Sequence, residues 1–278
     1  MYPELFHIGP IPIHGFGLML AIAFLSANYL FTRFTREQKI HDDIPSTITL
    51  IALVAGIVGS KLFSIVEEFY NRPDVFFSDP FSYIFSSSGL TFYGGLLLSI
   101  FSIYIYIKRK KLPFWILGDA VAPSLILAYG IGRIGCQLAG DGDYGIPSSL
   151  PWAMGYPKGT VPTLSSTNIE LANKFKEMFP GTPLPLDIQV HPTPVYETLA
   201  CFFIFGILLY LRKKLKVHGT GLLFGVYLVG AGLERFLVEF IRLNPLYLGL
   251  SQAQWISIGL MMAGLLVYAK QRNKFYTV

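Results

Sequence analysis

The stretch Tyr129-Gly-Ile-Gly-Arg-Ile-Gly-Cys-Gln-Leu-Ala-Gly-Asp-Gly-Asp-Tyr-Gly145 puts a cation at the end of an apolar run and then continues into a polar loop. Arg133 stands among glycines, and Asp141 and Asp143 follow in the loop. A cation at the edge of a hydrophobic span is costly unless it faces a partner or a polar cavity. Glycine lets another backbone or a ligand come close. This stretch alone fits two interpretations, a helix end with a snorkelling arginine or a functional site.

The composition indicates a membrane protein. Of the 278 residues, 53% are hydrophobic and only 14% are charged, and the mean hydropathy is +0.51. Soluble domains usually carry about 25% charged residues. The two cysteines, Cys136 and Cys201, have no metal-ligand spacing, so we expect neither a disulfide framework nor a zinc site. The first twelve residues lack the basic start of a cleavable signal peptide.

Apolar runs along the chain predict the fold class. A membrane span needs about 20 mostly apolar residues. We expect an all-α, polytopic membrane protein with about seven transmembrane helices, forming a single transmembrane domain over residues 1–278. The candidate spans are Ile13–Phe31, Thr47–Val66, Phe92–Ile107, Phe114–Ile131, Val195–Leu211, Gly221–Phe240 and Trp255–Tyr268.

The distribution of basic residues predicts the orientation. Most of the 22 lysines and arginines follow the first, third, fifth and seventh candidate spans. Loops rich in these residues stay in the cytoplasm. We therefore expect the N-terminus outside and the C-terminus in the cytoplasm, which an odd number of spans also requires. Residues 136–194 then form a long extracytoplasmic insertion, with an amphipathic helix predicted at residues 168–178.

The sixth candidate span carries alternating charges. Arg235 and Glu239 are four residues apart and Arg242 is seven from Arg235, so all three share one helix face. One interpretation is an internal ion pair that only joins helices. The other is an anion site, in which Arg133 and Arg235 converge on a phosphate because a guanidinium binds phosphate bidentately.

Further polar residues fall near the same ends of their spans. A chamber that opens outward and is lined by arginines suits an anionic lipid head group, whose tails would stay in the bilayer. Taken singly, each residue also fits a structural role, and Asp119 is an intramembrane carboxylate whose partner the sequence does not identify. The residues at this level are His14, Lys61, Tyr93, Arg133, Glu197, Arg235 and Glu239.

As a set, these motifs resemble the prolipoprotein diacylglyceryl transferase family, from residue 13 to beyond residue 260. Each motif alone is weak, but their order and the seven spans agree with the family. The elements that carry the resemblance are Gly132-Arg-Ile-Gly135 with Gly140, Tyr144 and Gly145, then His191-Pro-Thr-Pro-Val-Tyr-Glu197, Gly232-Leu-Glu-Arg-Phe with Glu239-Phe-Ile-Arg242, and Ile13-His14-Gly-Phe-Gly-Leu18.

The resemblance implies transfer of the diacylglyceryl group of phosphatidylglycerol to the lipobox cysteine thiol of a prolipoprotein. A thioether forms and glycerol phosphate leaves, in the bacterial cytoplasmic (inner) membrane. The implied partners are phosphatidylglycerol, a lipobox peptide and membrane lipid, with no nucleic acid, metal or other cofactor. Arg133 and Arg235 would hold the phosphate and Glu239 would position Arg235. The implied substrate-binding set is Arg133, Arg235, Tyr93, Gly94, Gly95, Gly145, Glu197 and Arg242.

Several positions depart from the family pattern and suggest a divergent branch. Tyr93 replaces a histidine that is often proposed as the base, and tyrosine, with a reference pKa of about 10, is a poor base. Phe16, Ala231 and Cys136 stand where the family has tyrosine, tyrosine and asparagine.

The loop after Arg133 has one extra residue, so either Asp141 or Asp143 could match the family's carboxylate. We expect Tyr93 to donate a hydrogen bond or position substrate, while His14, Asp141 or Asp143 takes the thiol proton. Two other functions remain open: an anion or lipid transporter that uses the same arginines, and a non-catalytic lipid-binding homologue.

Overall fold

The computed structural model describes residues 3–73, 77, 81, 84, 91–215 and 219–272. Within them the chain is mostly helical, as predicted. The elements, in chain order, are β1 (Glu4–Ile8), β2 (Ile11–His14), α1 (Gly15–Arg36), α2 (Asp43–Asn71), α3 (Phe92–Arg109), α4 (Phe114–Ala139), α5 (Ile169–Met178), α6 (Thr193–Leu215), α7 (Leu222–Val238) with the 3-10 turn Glu239–Ile241, β3 (Leu246–Tyr247), β4 (Leu250–Ser251) and α8 (Gln252–Arg272).

Five of the described helices are long and apolar enough to cross a membrane, judged by length and composition: α1, α2, α4, α6 and α8. The third and sixth candidate spans correspond to α3 and α7, with 18 and 17 residues. At 1.5 Å per residue these two helices extend about 26 Å, slightly less than the roughly 30 Å hydrocarbon core. The helical membrane architecture is confirmed, whereas the count of seven spans stays a prediction.

Two short hairpins were not predicted, so the all-α description needs this correction. Strands β1 and β2 pair antiparallel, as do β3 and β4. Gly9, with a φ of +60°, makes the first turn possible. The strands contain only two to five residues, which is too short for hydrophobic alternation to distinguish them from loops.

The described chain divides into two compact units, which are residues 1–31 with 115–278, and residues 32–114. In the second unit, glycines let α2 and α3 approach closely. A Cβ atom on Gly95 would lie 2.7 Å from the carbonyl oxygen of Gly56. Across the same interface, Ser99 Oγ donates to the carbonyl of Ala52 at 3.0 Å. Gly95 is therefore required for packing in this unit, whatever else it does.

In the first unit, Asp119 of α4 caps α7, which answers the question that the sequence left open. Its side chain is 1% exposed. Oδ2 accepts a hydrogen bond from the backbone N–H of Gly221 at 2.8 Å, and Oδ1 accepts one from Phe224 at 3.0 Å. The first N–H groups of a helix have no partner inside it. Asp119 therefore satisfies backbone donors at the start of α7.

The chain between α4 and α6, residues 140–192, is folded around an apolar core of its own. We call it the α4–α6 segment. Its core contains Tyr144, Tyr156 and Leu171, which are all buried. The predicted helix is confirmed as α5, and its N-cap is Asn168, whose Oδ1 accepts from the backbone N–H of Leu171 at 3.0 Å. Such a core holds the polar loop after α4 in a fixed conformation.

Candidate active site

The buried carboxylate of Glu197, in the second turn of α6, lies at the centre of a cluster of charged side chains. Its side chain is 0% exposed. Arg242 Nη1 donates to Oε1 at 3.2 Å, and Arg235 Nη1 approaches the same oxygen at 3.5 Å. Arg133 Nε pairs with Oε2, which also accepts from the Tyr129 hydroxyl at 2.8 Å. One carboxylate thus orients three guanidinium groups; we call these residues, with Asp143 and Glu239, the arginine cluster.

Close packing of α4 against α6 brings Arg133 to Glu197. A Cβ atom on Gly130 would lie 3.0 Å from Cys201 Cβ, so a larger residue would separate the two helices. Thr198 Oγ1 donates to the Gly130 carbonyl at 3.3 Å across the same interface. Arg133, one turn after Gly130, then lies beside Glu197.

Arg133 has more partners than a snorkelling arginine needs. Its Nη1 pairs with Asp143 Oδ2, and its Nη2 donates to the Tyr129 hydroxyl at 2.8 Å. The guanidinium also lies 4.8 Å from the centre of the Tyr129 ring. The side chain is 14% exposed, so these groups cover most of it and it does not extend into solvent. This observation favours the functional-site interpretation of the opening stretch over the snorkelling one.

The predicted pair on α7 is present. Arg235 Nη2 lies 2.9 Å from Glu239 Oε2, and the Arg235 side chain is 23% exposed. Glu239 is 1% exposed, and its other oxygen accepts from Asn244 Nδ2. Arg242 Nε is 3.9 Å from Glu239. Glu239 therefore positions Arg235 and is itself held in place by the chain that follows α7.

Asp143, and not Asp141, joins the arginine cluster. Its two carboxylate oxygens pair with Arg133 and Arg242, and its carbonyl accepts from Arg242 Nη1 at 2.9 Å and from Thr193 Oγ1. Burial opposes ionisation of Asp143, but the two arginines outweigh it and lower its pKa to about 2. Asp143 is therefore a permanent anion at neutral pH.

Asp141 has a different environment in the same loop. Burial raises its pKa, and the negative charge of Asp143 raises it further. Its Oδ1 accepts from the backbone N–H of Asp143 at 3.3 Å. Ligand atoms of Cys136, Asp141 and Asp143 lie within 4.8 Å of one another, a spacing that could hold a metal ion. However, Asp143 already pairs with two arginines, whose charges oppose a cation.

Gly145 lies where the loop meets the ends of α6 and α7. Its N–H donates to the His191 carbonyl at 2.8 Å, and it forms a β-bridge with Arg242. A Cβ atom here would lie 3.0 Å from both His191 Cβ and Thr193 Cγ2. Only glycine fits this position without displacing the chain that carries Arg242. Close packing therefore requires glycine here, and the predicted role of Gly145 in substrate binding stays a prediction.

Four other predicted site residues belong to β2 and α3. His14 ends β2 and is exposed, and within the described ranges it has no hydrogen bond or ion pair to the cluster. Tyr93, Gly94 and Gly95 belong to the first turn of α3, in the second compact unit. Tyr93 is 37% exposed, and its ring packs at 5.6 Å from that of Phe92. The roles of these four residues stay predictions.

Three residues that contact the cluster were not predicted from the sequence as contributors to the site. Tyr129 lies four residues before Arg133 on α4, a spacing that could have indicated their contact. Asn244 contacts Glu239 from five residues away, beyond the end of the helix. Thr193 reaches the carbonyl of Asp143 across 50 positions of sequence, and no local pattern indicates that contact.

The fold and the site define a multi-pass membrane protein with a partly buried cluster of three arginines and three carboxylates. The Arg133 and Arg235 side chains, 14% and 23% exposed, are held in fixed orientations by these carboxylates, and a guanidinium group can bind phosphate bidentately.

Comparison with known proteins identifies the family. Residues 3–270 match the family model of prolipoprotein diacylglyceryl transferase, and the chain belongs to that family. Similar proteins, each named phosphatidylglycerol–prolipoprotein diacylglyceryl transferase, occur in Clostridium tetani (30% identity, over 96% of this chain and 97% of the relative), Prochlorococcus marinus strain NATL1A (28%, over 95% and 88%) and Idiomarina loihiensis (29%, over 99% and 95%).

Proposed function

We propose that this chain transfers the diacylglyceryl group of phosphatidylglycerol to the lipobox cysteine thiol of prolipoproteins. The family match over residues 3–270 and the names of the similar proteins support this assignment. The observation that carries it is the convergence of Arg133, Arg235 and Arg242 on Glu197. The reaction needs no metal or nucleotide, because its principal requirement is to stabilise a departing phosphate.

The bond changes define what the site must do. The thiol sulfur forms a bond to C3 of the glyceryl group, and the bond between C3 and the phosphate oxygen breaks. The electron pair of that bond leaves with the phosphate as glycerol phosphate. Arg133 and Arg235 stabilise the charge that develops on this phosphate. Glu239 keeps Arg235 in position, and Glu197 holds both arginines on the same side of the site.

A base must also accept the proton of the thiol, whose reference pKa is about 8.5. Asp143 is a poor candidate, because its low pKa and two arginine partners hold it in the ionised, weakly basic form. Asp141, whose pKa is raised, is the better proton acceptor of the two. We assign Tyr93 a hydrogen-bonding or positioning role and retain His14 as the alternative base.

The proposed topology has seven spans, with α3 and α7 completing the set. The N-terminus and residues 136–194 lie outside the cytoplasmic membrane of a bacterium, and the C-terminus lies inside. Cysteines introduced at Lys110 and Lys158 and labelled with an impermeant reagent test this arrangement. We expect Lys158→Cys to react in intact cells and Lys110→Cys only after lysis. Labelling of both from one side would contradict the topology.

The proposed activity is tested with purified protein in vesicles of phosphatidylglycerol labelled in its acyl chains. A lipobox peptide should acquire the labelled diacylglyceryl group as a thioether, and equimolar glycerol phosphate should appear. The matched control peptide has serine in place of the lipobox cysteine and should remain unmodified. Folded protein that binds the lipid without modifying the peptide would indicate a lipid-binding homologue. Passage of anions across the vesicle membrane without transfer would indicate a transporter.

A further inference from the structure

A cavity of about 180 Å³ lies beside the arginine cluster, in the α4–α6 segment. One wall comes from the loop after α4 and another from the chain after α7. The start of α5 and Val161 complete it. The lining residues that matter here are Gly142, Tyr144, Val161, Glu170, Arg242 and Asn244. None of the roles assigned above uses this cavity.

The cavity and the cluster meet at Arg242, which belongs to both. Gly142 and Tyr144 are the immediate neighbours of Asp143. From the opposite wall, Arg242 pairs with Asp143, and Asn244 donates to the Glu239 carboxylate. A molecule whose phosphate binds Arg242 would therefore place its next few atoms at the cavity.

The lining chemistry suits a small polyol. The Glu170 carboxylate is exposed at the start of α5 and can accept hydrogen bonds from hydroxyl groups. The Asn244 amide offers a donor and an acceptor, and the Arg242 guanidinium offers donors. Val161 supplies an apolar surface for a carbon chain. A volume of about 180 Å³ is sufficient for a three-carbon polyol.

We propose that this cavity binds the polyol of a polyol phosphate while the arginine cluster binds its phosphate. The inference rests on the proposed transferase function, for which the polyol is the glycerol of the lipid head group. The same chemistry is present in free glycerol phosphate, the product that leaves. Glu170 and Asn244 would then distinguish a head group with hydroxyls from one without.

The test fills the cavity and compares two lipids. Val161→Trp is measured beside Leu186→Trp, a control in the same segment whose leucine is 70% exposed and outside the cavity lining. Transfer to the lipobox peptide is assayed from phosphatidylglycerol and from phosphatidylmethanol, which lacks the hydroxyls. Val161→Trp should raise the KM for phosphatidylglycerol about tenfold, the loss expected from one or two hydrogen bonds, and leave the KM for phosphatidylmethanol unchanged. Leu186→Trp should change neither.

A second pair of variants avoids the bulk of tryptophan. Glu170→Ala removes an acceptor at the cavity, and Glu177→Ala removes a carboxylate elsewhere on α5, where it pairs with Lys174 at 3.0 Å. Only Glu170→Ala should bring the KM for phosphatidylglycerol closer to the KM for phosphatidylmethanol. Equal KM changes for the two lipids, or none in Val161→Trp and Glu170→Ala, would overturn the proposal.

A binding measurement distinguishes the lipid head group from free glycerol phosphate as the occupant of the cavity. Glycerol phosphate is titrated into wild type, Val161→Trp and Leu186→Trp by calorimetry, with no lipid substrate present. A higher Kd for glycerol phosphate in Val161→Trp than in wild type shows that the cavity also binds the free product. A change confined to the KM for the lipid shows that the cavity binds the head group alone. Wild type that transfers from neither lipid would contradict the proposed function. In that event, equal Kd values would overturn the cavity proposal as well.

Discussion

Helix α4 buries a charge near each of its ends, and the two charges have different partners. Asp119, near the start, accepts from backbone N–H groups of Gly221 and Phe224 on one neighbouring helix. Arg133, near the end, contacts side chains from its own helix, the following loop and α6. Both charges are costly in an apolar environment. The first is fully satisfied by a fixed helix end and is structural.

The second charge belongs to a network in which the partners are themselves shared. Glu197 contacts three arginines, and Asp143 contacts two. An incoming phosphate can replace one carboxylate contact of an arginine while the other contacts still hold the side chain. Asp119 is therefore a helix cap whose hydrogen bonds leave no capacity for a ligand. Arg133 differs in two ways, because it shares its partners with other arginines and is partly exposed.

Removing Arg133 should have the largest effect on activity. Arg133→Ala should lower kcat/KM for diacylglyceryl transfer by about 100- to 1000-fold, because a donor to the departing phosphate is lost. Arg133→Lys should recover little, since lysine keeps the charge but loses the two-pronged geometry. Arg133→Ala also removes one arginine partner from each of Glu197 and Asp143, which keep Arg242, so the thermal unfolding midpoint should fall as well.

The matched control for Arg133 is Arg109→Ala, which removes an arginine from the last turn of α3. Transfer is measured with labelled phosphatidylglycerol and a lipobox peptide, and folding by the unfolding midpoint in the same detergent. Arg109→Ala should be active. Near-normal transfer by folded Arg133→Ala would place Arg133 in the same structural class as Asp119.

The opposite result is expected for Asp119. Asp119→Ala leaves the N–H groups of Gly221 and Phe224 without a partner, and we expect a loss of about 2 to 3 kcal/mol of unfolding free energy. Asp119→Asn should be milder, because one amide oxygen can still accept. The fraction that remains folded should turn over at the wild-type kcat. A stable Asp119→Ala protein with reduced kcat would break the distinction between cap and site.

Local patterns predicted the parts of the fold and site that depend on short-range spacing. The apolar runs indicated the helices, and the four-residue spacing of Arg235 and Glu239 indicated their contact. The amphipathic pattern of residues 168–178, which predicted α5, is likewise a short-range feature. These features depend on residues within one or two helical turns.

Contacts between distant positions could not be predicted in the same way. Asp119 meets Gly221 about a hundred positions away, and Arg133 meets Glu197 from another helix. The position of Glu197 near the start of a candidate span is also explained by the negative charge that a helix N-terminus favours. Its central position depends on the close approach of α4 and α6 at Gly130. The loop geometry that distinguishes Asp141 from Asp143 likewise exists only in the folded segment.

Asp141 and Asp143 allow a test with a smaller expected effect but greater selectivity, because their pKa values are shifted in opposite directions. The pKa of Asp143 is lowered to about 2, below the reference value of about 3.9. Its ionisation therefore stabilises the fold above pH 4, and that contribution is lost as the pH falls towards 2. The pKa of Asp141 is raised, so its contribution has the opposite sign: it is present in acid and is lost as the pH rises through the raised pKa.

Asparagine at each position removes the charge with little change of shape. Asp143→Asn should destabilise the protein by about 2 kcal/mol at pH 7, and the difference from wild type should shrink as the pH falls below 4.

Asp141→Asn should be slightly more stable than wild type at pH 7, because the cost of ionising a buried carboxyl beside Asp143 disappears. That advantage should vanish in acid, where wild-type Asp141 is protonated. Unfolding midpoints of wild type and both variants, measured from pH 7 down to pH 2, give the sign and the pH dependence of each difference. If Asp141→Asn destabilised the protein at pH 7 as Asp143→Asn does, both aspartates would belong to the arginine cluster. Asp141 would then be no better a proton acceptor than Asp143.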